Sequence, residues 1–288
     1  MRSVVLALVT PLVLLVSLAG AQGLLHVGWS PPVVVALVNA AVAILIAVLE
    51  RLLPHRPDWN RSHDDVKTDV LHLLFAMLPV PIIFRALSLG ALTAASVFLA
   101  THLGRPVWPS DWPVAAQLLL ALVVAELGQY WVHRLAHERA ILWRLHSVHH
   151  SVERLYWLNA GRFHPLDTLL QHAAEVAPLI LLGANAQVLA LYTVFTSANG
   201  LLRHANVEMR VGALNWVLST ADLHRWHHSR EVEESNANYG ANLILWDLVF
   251  RTRRSPTGPS PATLGLQVKN YPRTFVALLA APFRSTEG

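Results

Sequence analysis

The chain contains no cysteine among its 288 residues. This absence excludes structural disulfides, thiolate-ligated haem, cysteine-ligated iron–sulfur clusters and zinc ribbons. The chain also has no GxGxxG turn that would hold a flavin or a nicotinamide. Any metal must therefore be bound by histidine, carboxylate or carbonyl ligands. Any electrons must come from a carrier outside this chain.

Charged residues are scarce as well. Lys, Arg, Asp and Glu make up 14% of the chain, against roughly 25% in a typical soluble domain. Its mean hydropathy is +0.42, and residues 3–49 contain none of the four. This composition indicates an integral membrane protein. The formal charge of +4 does not indicate nucleic-acid binding, because the basic residues lie in loops beside apolar segments.

Long apolar runs predict four spanning helices. Two lie near residues 3–22 and 32–50, each close to the ~20 residues that cross a bilayer. A signal peptide is the alternative for the first run, but the second span that directly follows favours a retained helix. Residues 70–100, which are interrupted by prolines, predict one long kinked span in preference to a hairpin of two short ones. The fourth span covers residues 113–131.

The distribution of Lys and Arg predicts the orientation of these helices. Four of these residues lie in loop 51–69 and many follow Arg134, whereas loop 23–31 has none and loop 101–112 has one. Lys and Arg concentrate in cytoplasmic loops. Both termini and the histidine-rich region are therefore predicted to face the cytoplasm, in a bacterial inner membrane.

The remaining segments complete the predicted organisation. The apolar stretch 175–200 must enter and leave on one side, which predicts a re-entrant pair of short helices broken near residues 183–185. We expect residues 1–112 to form N-terminal transmembrane helices and loops, and residues 113–254 to form the last spanning helix and the catalytic region. Residues 255–288 are predicted to be a loop-like tail with a final short helix.

Histidine, by contrast, is abundant, with 16 copies. Eight form one HxxxH and two HxxHH groups, whose members share a helix face and offer neutral nitrogen ligands to a transition metal. Two more stand alone, and a hydrogen-bonding role is the alternative for each of these, His164 and His204. Ten ligands suit two metals better than one. The candidates are His133, His137, His146, His149, His150, His164, His204, His224, His227 and His228.

These groups resemble the histidine boxes of the fatty acid hydroxylase/sterol desaturase superfamily, which are membrane di-iron oxygenases. The boxes HxxxH, HxxHH and HxxHH are matched by residues 133–137, 146–150 and 224–228. The resemblance extends over residues 60–252.

The segments between the boxes extend this resemblance. NAGRFHP at 159–165, RHAN at 203–206 and NYG...WD..F.T at 238–252 are similar to segments of the bacterial sterol-desaturase-like and alkylglycerol-monooxygenase-like members. Fatty acid 2-hydroxylases carry a further HxxxH box before the last group. At that place this chain has His204 followed by Glu208, which separates it from them.

The resemblance implies an all-α integral membrane fold with about four transmembrane helices, a re-entrant helical hairpin and a histidine-box metal centre at the cytosolic face. It also implies two iron ions, O2 as co-substrate, and hydroxylation or desaturation of a fatty acyl, sterol/isoprenoid or ether lipid. A non-catalytic membrane protein that binds or transports metal or haem is the alternative.

The electrons are expected from a ferredoxin- or cytochrome-like carrier with its reductase. Arginines on the cytosolic side form a predicted docking surface for such an acidic carrier. Anchoring to anionic lipid headgroups is the alternative. The arginines are Arg134, Arg139, Arg144, Arg154, Arg225 and Arg230.

Four polar residues outside the boxes are predicted to support the metal site: Asn159, Arg162, Asn206 and Asp247. Asn206 and Asp247 are predicted to hold a ligating imidazole through its second nitrogen, as metal sites commonly require. Asn159 and Arg162 are predicted to hold the site through hydrogen bonds, and shaping a loop is the alternative for both. Glu126 is unusual, because an ionisable group within an apolar helix is costly unless it is paired. A proton path and a nearby arginine partner are the two interpretations of that residue.

Overall fold

The computed structural model describes residues 2–256, 258 and 260–284, and this part of the chain is helical with no β-strand. Five helices form its first half, and a π-helical turn, Leu73–Met77, joins the third to the fourth. They are α1 Arg2–His26, α2 Pro31–Leu52, α3 Val66–His72, α4 Pro79–Leu103 and α5 Val114–Glu138. The all-α prediction is confirmed.

The second half contains the helices that carry most of the candidate ligands. They are α6 Ala140–His150, α7 Pro165–Leu182, α8 Ala186–His204, α9 Ala221–His227, α10 Val232–Ser235, α11 Leu245–Val249 and α12 Phe275–Ala280. Short 3-10 turns lie at Pro57–Asn60, Trp157–Gly161, Gly212–Trp216 and Ala281–Phe283.

Four segments are long and apolar enough to cross a bilayer, as predicted. They are Ser3–His26, Pro31–Leu52, Val66–Leu103 and Val114–Glu138. The third is one helical rod of 38 residues, which confirms the single span over the hairpin. Its π turn directly precedes Pro79, which has no N–H to donate. The helix therefore accommodates the proline by widening one turn, where Leu78 N donates to Leu73 O at 3.0 Å.

Helices α1 and α2 share the core with the C-terminal half. Val9 and Val13 of α1, and Val34, Val38 and Val42 of α2, are buried at a spacing of four residues. This spacing places one stripe of each helix against the core. Both helices pack on α8, so α1 is an integral part of the bundle.

Helices α7 and α8 lie on different sides of the bundle. α7 packs against α4 and α5, whereas α8 packs against α1, α2 and α5. The chain reverses at Gly183, within the break predicted at residues 183–185. Its φ of 95° is one that glycine adopts without strain. Gly183 lies beside Trp108, and Gln187 donates to Gln22 near the end of α1. The tip of this hairpin is therefore at the end of the bundle opposite the histidines. Its entry into the membrane stays a prediction.

Glu126 ties α5 to the chain before α11. Its buried carboxylate accepts hydrogen bonds from the backbone N–H groups of Ala241 and Asn242, the latter at 2.9 Å to Oε2. Backbone amides, and not an arginine side chain, are thus its hydrogen-bond partners. The carboxylate therefore has a structural role, since it fixes residues 241–242 against α5.

The described part of the C-terminal segment contains the short helix α12 and is not a free tail. Gly265 N donates to the carbonyl of His228 at 3.2 Å, and the hydroxyl groups of Tyr271 and Ser147 are 2.8 Å apart. These contacts lay the segment across the helices that carry the two HxxHH groups.

Gly128 marks a close approach of α5 to α7, because a Cβ at this position would lie 2.3 Å from the carbonyl oxygen of Ala174. We expect Gly128→Ala to force the helices apart and to lower the free energy of unfolding by about 1–3 kcal/mol. Gly90→Ala is the matched control, since nothing lies within 4 Å of a Cβ there. Thermal unfolding in detergent measures both variants. Equal stability of the two would contradict the α5–α7 packing.

Candidate metal centre

Nine of the ten candidate histidines meet in two adjoining clusters. Within each cluster, one nitrogen of every ring lies within 4.8 Å of all the others. Cluster A contains His133, His137, His146, His150 and His227. Cluster B contains His149, His204, His224 and His228.

Each HxxHH group contributes to both clusters. On α6, residues four apart point in nearly the same direction, so His146 and His150 join cluster A while His149 joins cluster B. The group at α9 divides by the same spacing, but here the pair four apart, His224 and His228, joins cluster B and His227 joins cluster A. The two clusters touch where the rings of His150 and His228 stack with centroids 4.4 Å apart. The repeated motif therefore contributes six rings to a double site, which His133 and His137 of α5 and His204 of α8 complete.

Backbone carbonyls bind the outer nitrogens of three rings. His133 Nδ1 is 2.6 Å from Tyr239 O, and His227 Nδ1 is 2.8 Å from Ala237 O. His149 Nδ1 is 3.2 Å from the carbonyl oxygen of Arg162. A carbonyl can only accept, so Nδ1 carries the proton in each of these rings and Nε2 carries a lone pair.

Side-chain oxygens orient three further rings in the same way. His146 Nδ1 lies 2.8 Å from Asp167 Oδ2. His137 Nδ1 lies 3.1 Å from Asn236 Oδ1, and His204 Nδ1 lies 2.9 Å from Asn159 Oδ1. Six of the nine rings are thus held from outside with Nε2 turned inward. Such outer hydrogen bonds are typical of histidines that bind a metal.

The inward nitrogens form close pairs. The Nε2 atoms of His133 and His227 are 2.9 Å apart, and those of His204 and His224 are also 2.9 Å apart. Because His133 and His227 both have their proton on Nδ1, their Nε2 lone pairs face each other without a hydrogen between them. The buried Nε2 of His146 has no hydrogen-bond partner among the described residues. A cation bound between these nitrogens resolves both problems, so the residues fit a metal.

Burial keeps these rings neutral. It lowers the pKa of His227 to about 3, and it lowers the pKa of His149, His150, His224 and His228 well below the usual value of a histidine. Neighbouring imidazoles lower these pKa values further, because two adjacent rings cannot both take a proton at low cost. Near neutral pH the lone pairs are therefore free to bind a metal.

The tenth predicted ligand, His164, belongs to neither cluster. It precedes α7, where its Nδ1 accepts a hydrogen bond from Leu166 N at 3.2 Å and caps the helix. Its Nε2 is 3.3 Å from Leu279 O. Both nitrogens are occupied by backbone groups, so the structure places His164 in the hydrogen-bonding role that was the alternative for it.

Of the four predicted supporting residues, two reach the clusters. Asn159 contacts His204 through its amide oxygen, and Arg162 contacts His149 through its backbone carbonyl. The guanidinium of Arg162 pairs with Asp69, away from the histidines. Asn159 therefore reaches cluster B through its side chain, and Arg162 reaches it through its backbone.

The other two, Asn206 and Asp247, form no hydrogen bond with a histidine of either cluster in the described structure. Asn206 bonds Arg56 and Asn60 in the loop after α2. Asp247 accepts hydrogen bonds from Tyr239 N at 2.9 Å and from Gly240 N, so it acts on the site only through the backbone that receives His133.

Asp167 and Asn236 are the supporting residues that the sequence prediction missed. Asp167 lies two residues beyond the NAGRFHP segment, in the first turn of α7. Its signal in the sequence is that it is a carboxylate close to the histidine boxes. The carbonyls of Tyr239 and Ala237 had no signal in the sequence, because every residue has a carbonyl.

The predicted arginine surface is wrong for two of its six members. Arg154 is 3% exposed and donates to Asp65 at 2.7 and 2.8 Å. Arg225 is 1% exposed and donates to the carbonyl oxygens of Ala205 and Val207. Both guanidinium groups bind interior acceptors, so neither is available for docking.

Comparison with known proteins supports the interpretation of the site. Residues 118–252 match the family model described as fatty acid hydroxylase. Ornithine lipid hydroxylase OlsE of Rhizobium tropici is 42% identical over 249 residues, which covers 85% of this chain and 74% of that protein. Alkylglycerol monooxygenase of Homo sapiens is 29% identical over 212 residues, covering 74% of this chain and 45% of that protein.

Methylsterol monooxygenase 2-2 of Arabidopsis thaliana is 27% identical over 146 residues, covering 50% of this chain and 54% of that protein. No solved structure matches the chain significantly. The chain spans about three quarters of the length of OlsE and about half of the length of the two monooxygenases. The family model covers the region of the histidine boxes, and the similarity to OlsE extends over most of both proteins. The chain therefore belongs to the fatty acid hydroxylase family.

Proposed function

We propose that this chain is a di-iron oxygenase that hydroxylates an amino-acid-containing lipid of the ornithine-lipid class. The pair of buried clusters carries this proposal, because their inward nitrogens offer lone pairs to two metals. The 42% identity to an ornithine lipid hydroxylase supports the class of lipid. The apolar helices α1, α2, α4 and α5 provide the membrane setting in which such a lipid is met.

The reaction must balance with electrons from outside. Hydroxylation inserts one atom of O2 into a C–H bond and reduces the other atom to water, which consumes two electrons and two protons. Iron held by clusters A and B would supply the activation of O2, for which no side chain is suited. Asp167, Asn236 and Asn159 keep three of the rings turned inward. The burial of the rings keeps bulk water away from the site.

Electrons are proposed to enter at the outer side of cluster A. His137 is the one ring among the nine that is only partly buried. Trp143 covers it, with ring centroids 5.2 Å from His137 and 5.5 Å from His150. Arg139 and Arg144 are exposed on either side of this tryptophan and offer positive charge to an acidic ferredoxin- or cytochrome-like carrier.

We further propose that the histidine end of the bundle faces the cytoplasm of a bacterial inner membrane. Loop 51–69, with its four Lys and Arg residues, lies at this end, because Arg56 N donates to Asn206 Oδ1 at 2.9 Å, two residues beyond His204. The start of α1 lies there too, because Arg210 N donates to Leu6 O at 3.1 Å. The C-terminal segment also contacts α6 and α9 at this end.

The function is tested by expression in a bacterial strain that contains ornithine lipid and lacks a hydroxylase for it. Mass spectrometry of the lipids should show a product heavier by one oxygen atom, and cells with the His227→Ala variant should lack it. In proteoliposomes, repeated turnover should require a carrier and its reductase. Hydroxylation of other lipids alone would contradict the proposed class, and repeated turnover without any reductant would contradict the redox assignment.

Each of the nine cluster histidines should be required for metal binding. We expect His133→Ala or His228→Ala to abolish activity and to lower the iron content from about two ions per chain to about one or fewer, because a buried position is left without its ligand. His164→Ala should keep both ions. It should lose about 0.5–2 kcal/mol of stability as the cap of α7 is removed.

Iron analysis of purified protein, together with thermal unfolding, separates these outcomes. The matched control is His102→Ala, since His102 is exposed on α4 and bonds only Phe98 O. Loss of iron in His164→Ala at wild-type stability would overturn the distinction between capping and binding. Wild-type iron content in His133→Ala would remove cluster A.

The orientation predicts the behaviour of reporters fused to the C-terminus. Alkaline phosphatase folds outside the cytoplasm, so its fusion should be inactive, whereas a green fluorescent protein fusion should be bright. A second pair fused within loop 104–113, at the opposite end of the bundle, should give the reverse result. Active phosphatase at the C-terminus would overturn the proposed orientation.

A further inference from the structure

The two clusters are oriented by different parts of the chain. In cluster B, His149 and His204 bind the Arg162 carbonyl and the Asn159 amide oxygen, which both belong to the turn 154–162. In cluster A, the outer nitrogens bind residues 236–239 and Asp167 instead. The turn 154–162 therefore acts on cluster B alone.

Asp69, on α3, fixes this turn from within the protein. Its fully buried carboxylate receives the Nε–H of Arg162 on one oxygen and the hydroxyl of Tyr156, at 2.6 Å, on the other. Arg162 is buried as well. A buried guanidinium without its carboxylate is costly, so Asp69 determines where residues 156 and 162 rest.

Two more acids complete the anchor. Asp65 accepts two hydrogen bonds from the guanidinium of Arg154. The same guanidinium donates a third to the carbonyl of Trp59. Glu50, in the last turn of α2, accepts from Trp157 N at 2.7 Å. All three acids lie before residue 118, where the match to the family model begins. The N-terminal helices thus contribute to the geometry of the site as well as to membrane anchoring.

We infer that Asp69 is a positioning residue that controls the metal affinity of cluster B and leaves that of cluster A unchanged. Without its carboxylate, Arg162 and Tyr156 lose their common acceptor and the turn shifts. The hydrogen bonds that direct Nε2 of His149 and His204 toward the metal then weaken. Loss of such outer support typically lowers metal affinity about 10–100-fold. The inference rests on the proposed function only in that each cluster binds one metal.

The test is titration of metal-stripped, detergent-purified protein with Co2+, followed by absorption and by metal analysis. Wild type should bind two ions. Asp69→Asn should bind one ion with wild-type affinity and the other about 10–100-fold more weakly. Asp167→Asn leaves one neutral acceptor oxygen for the two donors His146 and Gln171, so it should weaken the ion of cluster A instead. Asp58→Asn is the matched control, because Asp58 is exposed and pairs only with Arg56.

Double variants identify the affected cluster. In the Asp69→Asn background, His224→Ala should lower metal binding little further, because cluster B is already weakened. His133→Ala should remove the tightly bound ion that remains in cluster A. Tyr156→Phe deletes a single hydrogen bond to Asp69 and should weaken the ion of cluster B to a smaller degree. This variant replaces Asp69→Asn in the test where Asp69→Asn does not fold. Two ions with unchanged affinity in Asp69→Asn, or in Tyr156→Phe where that variant replaces it, overturn this inference alone. Failure of wild type to bind two ions overturns the proposed function together with it.

Discussion

Two buried nitrogens that face each other set the constraint on which the rest of the site depends. His133 and His227 both commit their proton to a carbonyl on the outside, so their Nε2 atoms meet at 2.9 Å with two lone pairs and no hydrogen. In a buried setting this repulsion is costly, and a cation removes it. Metal binding is therefore coupled to the stability of the packed helices. The surrounding polar groups serve to keep the rings in this position.

Buried acids stabilise the backbone that orients the rings. Glu126 binds the N–H groups of Ala241 and Asn242, and Asp247 binds those of Tyr239 and Gly240. The two carboxylates therefore hold four consecutive residues, 239–242, and that stretch contains the carbonyl that receives His133. From the sequence alone, a carboxylate within an apolar helix suggests a proton path or an arginine partner. Here its hydrogen bonds satisfy backbone donors instead, which explains how its burial is tolerated.

The sequence predicted the helical class, the four apolar spans and all nine of the gathered rings, together with His164, which lies apart from them. Hydropathy and i,i+4 spacing are local properties, so they can be recognised without the fold. The sequence did not distinguish His164 from His204, since both stand alone. Only the tertiary fold shows that the first caps a helix and the second meets His224. It also did not reveal that Arg154 and Arg225 are buried, because their acceptors come from distant segments. Burial of a charge depends on contacts that spacing does not encode.

The seam between α5 and α7 links helix packing to the metal centre. Gln129 on α5 donates to Gln171 on α7, Gln171 donates to Asp167, and Asp167 receives His146, each at 2.8–2.9 Å. Every member is buried, so none of these groups exchanges its partner for water at low cost. The amide of Gln129 lies one residue beyond Gly128, where the two helices come closest. A change in their spacing must therefore shift Gln171 and, through Asp167, the direction in which His146 points into cluster A.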